Sequence, residues 1–150
     1  MFDVPPPARQ PARMTMPNVP PGFEPLSIAS PYARALGPLH VDREGARLGL
    51  ATTDTLANIA GVVHGGALAT LADVALFIIG GKGELMTDAV TLTLNASFVA
   101  PARLGRFLVA SGRIVREGRS VLFVDGEVTD EGETVLTFSG TLKRVRPRTL

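Results

Sequence analysis

The chain has one long apolar stretch, from His64 to Ile79, and a single acid, Asp73, stands in the middle of it. Gly65-Gly66 opens the stretch and Gly80-Gly81-Lys82-Gly83 closes it, which predicts one helix from about Gly65 to Ile79. Leu68, Leu71, Val74, Ala75, Phe77, Ile78 and Ile79 spread over more than one helical face, and a helix apolar all round is buried all round. In so short a chain that points to cover from a sheet on one side and from a partner subunit on another, with at least a dimer expected through edge strands or through the helix region. A carboxylate buried in such surroundings without a partner costs several kcal/mol, and Ala or Leu would make a better helix. Asp73 is therefore either paired or used.

The segments around this helix read as strands. Leu39–Glu44 and Ala46–Thr53 precede it, joined at Gly45. After it, Val90, Leu92, Leu94, Ala96 and Phe98 alternate with Thr91, Thr93, Asn95 and Ser97, a period of two. Arg106–Arg116, Ser120–Thr129 and Thr134–Val145 follow, separated by turns at Glu117-Gly118-Arg119 and Asp130-Glu131-Gly132-Glu133. The expectation is an α+β domain, with about six antiparallel strands covered by one long helix and the last four strands in a meander. Ser30-Pro31 to Gly37 predicts an additional short helix, capped by Ser30 and ended by Gly37.

Residues 1–22 carry Pro5, Pro6, Pro7, Pro11, Pro17, Pro20 and Pro21, a composition that cannot hold a helix and reads as a flexible tail. Residues 23–150 are then the folded domain. Net charge is +1 at pH 7, which implies no field for nucleic acid. Without Cys, disulfides, thiolate catalysis and Cys-based zinc sites are excluded, and His40 and His64 are too few for a His-rich metal centre. No metal and no cofactor are expected. The apolar stretch is too short for a membrane span, and no signal segment opens the chain, so a cytoplasmic protein is the default.

The start of the predicted helix bears chemistry. Backbone N–H groups at a helix N-terminus lack intrahelical partners, and Gly65 and Gly66 allow a ligand to approach them closely. A donor there could polarise a carbonyl and stabilise the oxyanion formed on attack. Asp73 would supply the nucleophile or the base. There is no Gly-x-Ser-x-Gly, so an α/β-hydrolase mechanism has no support.

Taken together, Asn58, Gly61, His64-Gly65-Gly66, Leu71-Ala72-Asp73 and the Val90-Thr91…Phe98…Pro101…Gly105 pattern resemble the hotdog-fold acyl-CoA thioesterases, most closely the PaaI-like, phenylacetate-pathway group. The resemblance covers roughly residues 35–145. It implies a hotdog fold, a sheet wrapped around one central helix, and hydrolysis of an acyl- or aryl-CoA thioester to the acid and CoA. It also implies that Asp73 is nucleophile or general base, that Gly65 N–H forms the oxyanion hole, and that Asn58 holds the thioester or water. His64 would orient the loop, and Thr91 would position the water. By the same resemblance, the active sites lie at a dimer interface, in a dimer or a dimer of dimers. A non-catalytic module that binds acyl-CoA is the alternative reading, for which Asp73, Asn58 and Thr91 would be superfluous. Leu76, Phe77, Gly80 and residues of the N-terminal region are expected to line the acyl pocket, and Gly66 to bind substrate. Arg103, Arg106, Arg116, Arg119, Lys143, Arg144, Arg146 and Arg148 are candidates for the CoA phosphates, with Arg119, in a hairpin turn, the first choice.

Overall fold

The computed structural model describes residues 14–146. Residues 1–13 of the proline-rich segment and Arg148 lie outside the described residues. The elements are β1 (Glu24–Pro25), α1 (Pro31–Ala35), β2 (Leu39–Asp42), β3 (Arg47–Ala51), α2 (Gly65–Gly80), β4 (Ala89–Phe98), β5 (Phe107–Glu117), β6 (Val121–Asp130) and β7 (Glu133–Arg144). All seven strands form one antiparallel sheet in the order β1-β2-β3-β5-β6-β7-β4. The α+β reading holds, with β1 as an extra two-residue edge strand. Ser30 caps α1 through its hydroxyl, which accepts from Ala33 N–H, as its sequence predicts. No described helix is long and apolar enough to cross a membrane.

The expected four-strand meander is corrected. Only β5, β6 and β7 run consecutively, while β4 pairs with β7 at the far edge. The chain leaves β3, crosses the sheet face as α2 and re-enters on the opposite side. One edge of β5 is already taken by β3, so the free edge of β7 is where β4 pairs.

The core lies between α2 and the inner sheet face, where Leu71, Leu76, Ile78, Leu108, Leu122, Leu136 and Leu142 are fully buried. The helix fits closely because the sheet is cut away beneath it. A Cβ added to Gly140 would lie 2.4 Å from Leu76 Cδ1, so a glycine is required where Leu76 meets β7.

Within one chain the sheet covers all of α2 except one stripe. Gly66, Ala69, Thr70, Asp73 and Phe77 retain exposure, and apart from Gly65 at the first position every other α2 residue is buried. Those five stand at i, i+3, i+4, i+7 and i+11, a single stripe along one face. Asp73 thus escapes full burial within one chain because it lies on the stripe that the chain's own sheet does not cover.

Candidate active site

Helix α2 begins at a cap made by an imidazole. His64 Nδ1 accepts from Gly66 N–H at 2.8 Å, which places the ring proton on Nε2. This hydrogen bond separates the roles of the two glycines. The Gly66 amide is consumed by the cap. The Gly65 amide, at the first helical position, has no intrahelical acceptor and makes no hydrogen bond among the described residues. It opens into a cleft of about 410 Å³ lined by Asn58, Val62, Gly65, Leu68, Phe98 and Pro101, among others. The Phe98 ring stands beside Gly65, where an added Cβ would meet it at 3.3 Å.

Asn58 builds the loop in front of this amide. Its side-chain Oδ1 accepts from Ala60 N–H at 2.9 Å and Val62 N–H at 3.2 Å, folding residues 58–62 into a tight turn, with Gly61 at φ +77°. Val63 N–H donates to Ala102 O at 2.9 Å and His64 N–H to Leu56 O at 2.7 Å, so the loop enters the helix from a fixed direction. The 100–103 segment that receives it is held in turn by Arg103. Both the backbone N–H and the guanidinium of Arg103 donate to the buried Asp130 carboxylate, at 2.9 to 3.1 Å. Burial pushes the Asp130 carboxyl up, but the Arg103 hydrogen bonds and charge outweigh it and hold the group below its ordinary value. A carboxyl depressed on folding stabilises the native state above its unfolded pKa and loses that contribution as pH falls through the folded value. Asp130→Asn should therefore lower stability by about 1–2 kcal/mol at neutral pH, after allowance for the half-exposed Arg103. The gap from wild type should close below about pH 3.8, the ordinary value. Urea titrations of both proteins across that range check it, and a pH-independent gap would refute the charge as the cause.

Asp73 has one partner. Thr91 Oγ1 donates to its Oδ1 at 2.7 Å, and among the described residues nothing else bonds the carboxylate. Thr91 reaches it because of a defect in the strand. A β-bulge between Thr91 and Thr93 leaves Leu92 as an extra residue, so Thr91, opposite buried Leu142, faces the helix together with Leu94 and Ala96. Plain alternation would have turned Thr91 away from Leu94 and Ala96. The bulge sends Val90 and Leu92 outward instead, 45% and 52% exposed, which corrects the strict period of two.

The structure separates the other expected residues. Phe77 keeps partial exposure on the Asp73 stripe, whereas Leu76 is fully buried against Gly140 and has no surface for a ligand. Arg119 is exposed in the β5–β6 turn, near the far end of α2, where Lys82 pairs with Glu117. Phe98 belongs to the strand pattern that carries the resemblance but has no site role in the sequence reading, since an apolar residue on a strand gives no sign that it will stand beside Gly65. A larger groove, about 460 Å³, lies between Pro17–Pro20 and Gly105–Phe107, but its cation, Arg106, is paired with Glu131 at 2.5 Å and no donor–acid arrangement lines it.

One distance decides how these parts can work. Gly65 and Asp73 are eight residues apart on one straight helix, or about 12 Å along its axis. A carbonyl held at Gly65 is out of reach of Asp73 in the same chain.

Residues 60–137 match the model of the thioesterase superfamily. An inferred esterase of Pseudomonas aeruginosa is 33% identical over 129 residues, spanning 83% of this chain and 96% of that protein. A mutant form of the phenylacetic acid degradation protein PaaI from Thermus thermophilus superposes with a TM-score of 0.66 at 27% identity, over 77% of this chain and 100% of that one. A Bacillus halodurans protein solved with CoA superposes with a TM-score of 0.61 at 31% identity, over 70% of each chain. The fold is the hotdog thioesterase fold, as the sequence resemblance implied.

Proposed function

Because the chain belongs to the thioesterase superfamily and is a thioester hydrolase, we propose that it cleaves an acyl- or aryl-CoA thioester to the free acid and CoA, with Asp73 of one subunit working against Gly65 of a second. The observation that carries this reading is the 12 Å separation within one chain of an unoccupied amide and a carboxylate with one oxygen unbonded.

A second copy resolves the separation by symmetry. Strand β4 is an open sheet edge with exposed Val90, Leu92, Phe98 and Val99 beside it. Asp73 lies at the beginning of β4, through Thr91, and Gly65 at its end, beside Phe98. Two β4 strands paired antiparallel set the beginning of each against the end of the other. Asp73 of one chain then faces the Gly65 cleft of its partner, twice per dimer, and the exposed stripe of α2 is covered.

In this arrangement the thioester carbonyl accepts from Gly65 N–H, aided by the positive end of α2. Thr91 orients the Asp73 carboxylate through Oδ1, leaving Oδ2 to take a proton from water or to attack the carbonyl carbon. The C–S bond breaks as the tetrahedral intermediate collapses. On the general-base route the CoA thiolate leaves with the proton that Asp73 took from water. On the nucleophilic route water then hydrolyses the acyl–Asp73 anhydride, which releases the acid, restores Asp73 and supplies the thiolate's proton. Asn58 holds the donor loop in place, and His64 keeps Gly66 N–H out of competition. A module that only bound acyl-CoA would need the cleft but not the Thr91–Asp73 pair.

The test is direct. The chain has no Cys, so a thiol-reactive dye reports released CoA without background from the protein. Phenylacetyl-, benzoyl- and straight-chain acyl-CoA esters should include at least one rapidly hydrolysed member. Tight binding of all of them with no thiol release would favour the binding module.

A further inference from the structure

We infer that Ile59, at the tip of the loop that leads into α2, is the side chain that seats one subunit on the other, against the partner's Phe77 and the partner's Val90. This rests on the shared-site reading above and deepens it, since it names the contact that sets the donor loop against the second chain.

Ile59 is the most exposed large apolar side chain among the described residues, at 109% of its reference area. One such residue is ordinary on a protein surface. What sets Ile59 apart is the way it is mounted. Asn58 N–H donates to Val62 O at 2.8 Å and Gly61 N–H to Asn58 O at 3.1 Å, while Ala57 and Val63 form a bridge at the base of the loop. With the two bonds to Asn58 Oδ1, the loop's own groups satisfy one another, and Ile59 is held out from a rigid base. A β-branched side chain on such a base has little freedom left to lose when a partner covers it. It also has apolar company. Val62, Phe98 and Val99 line the Gly65 cleft that this loop borders, and the last two are 56% and 55% exposed.

Two observations make the occupant a second copy of the chain. The first is charge. From Asn58 to Ala72 and from Ala89 to Ala102 there is no Lys, Arg, Asp or Glu. An edge strand that stays free is ordinarily guarded by charge, and β4 has none. Exposed aromatic and branched side chains without charges among them are the composition of the core of an interface. The second is register. With Asp73 over Gly65 of the other chain, Phe77 lies four residues farther along the exposed stripe and reaches about 6 Å past the start of the partner's α2. The loop of residues 57–63 stands there, because Val63 and His64 lead from it directly into the helix. On β4, Val90 precedes Thr91 and Val99 follows Phe98, so antiparallel pairing brings Val90 to the same end. Ile59 and Phe77 thus meet twice in a symmetric dimer.

The experiment uses the full chain. Ile59→Asp should raise the dimer dissociation constant at least about tenfold in sedimentation runs, with the circular dichroism of the fold unchanged. Its specific activity on an acyl-CoA ester should fall on dilution, where the wild type stays level, and recover on concentration. Activity lowered equally at every concentration would make Ile59 a local support of the donor loop and overturn its seat on the partner. Phe77→Lys should weaken association too, and Ile59→Asp/Phe77→Lys should recover part of it, because each end of the dimer then sets a carboxylate against an ammonium. Wild-type affinity in Ile59→Asp, or additive losses in the double variant, overturns the seat. So does an unchanged dimer with weakened acyl-CoA affinity in calorimetry, which would give Ile59 to the substrate. The two readings fail separately. A monomeric wild type that hydrolyses the ester sinks the shared site. Recovery of activity in mixed dimers of Asp73→Asn with Gly65→Pro, while Ile59→Asp dimerises normally, sinks only the seat.

Discussion

Asp73→Asn should lower kcat by about 10²–10⁴-fold, the range for losing a positioned acid or base, with little change in fold or subunit association. Asn is isosteric and can still accept from Thr91, so the 2.7 Å hydrogen bond survives while the charge that attacks or deprotonates is lost. The same substitution removes a carboxylate from the stripe proposed to meet a partner, so thermal stability should stay level or rise. Rate measurements by thiol release, with circular dichroism and light scattering on the same sample, separate chemistry from folding. Turnover near the wild-type rate would remove Asp73 from the mechanism.

Gly65→Pro is the complementary experiment, and the local structure makes it unusually clean. Proline lacks the N–H proposed to hold the oxyanion, yet the first helical position is where proline is favoured. The preceding residue, His64, sits at φ −61°, ψ 136°, the conformation a following proline prefers. The added ring meets Phe98 at 3.3 Å, a side chain rather than backbone, which has to give by only a few tenths of an ångström. A loss of about 10²–10³ in kcat with the fold retained is expected for one oxyanion donor. Combining the two variants tests the shared site. Each homodimer is inactive, but a mixed dimer contains one site with wild-type Asp73 and wild-type Gly65. Random exchange of equal amounts should restore about a quarter of wild-type activity, since half of the dimers are mixed and each has one working site of two. No recovery after exchange, verified by a tag on one variant, would place both groups in the same chain.

The candidate residues and the architecture were legible in the sequence to different depths. The long helix, its glycine boundaries and the lone acid follow from local pattern, because apolar spacing and turn residues act over a few positions. His64-Gly65-Gly66 marked the helix start, but nothing in the string says that the imidazole takes the Gly66 amide and leaves Gly65 open; that follows from the His64 backbone and ring geometry. Thr91 came in by family resemblance, against the period-two pattern of its own strand. The physical reason it faces Asp73 is one inserted residue, Leu92, which periodicity treats as ordinary. Phe98 and the Arg103–Asp130 anchor join parts of the chain that are distant in sequence, and composition carries no trace of such meetings.

Local chemistry alone therefore determined that the chain has one apolar helix bearing an acid, a glycine-rich donor end and a set of antiparallel strands. Tertiary structure decided which edge β4 occupies, which face Thr91 takes and which amide remains open. It also fixed the 12 Å of helix between that amide and the acid, since a rigid helix cannot fold back on itself. The groups that the sequence supplies within nine residues of one another are held apart by the very element that presents them, which is why the proposed chemistry calls for a second copy of the chain.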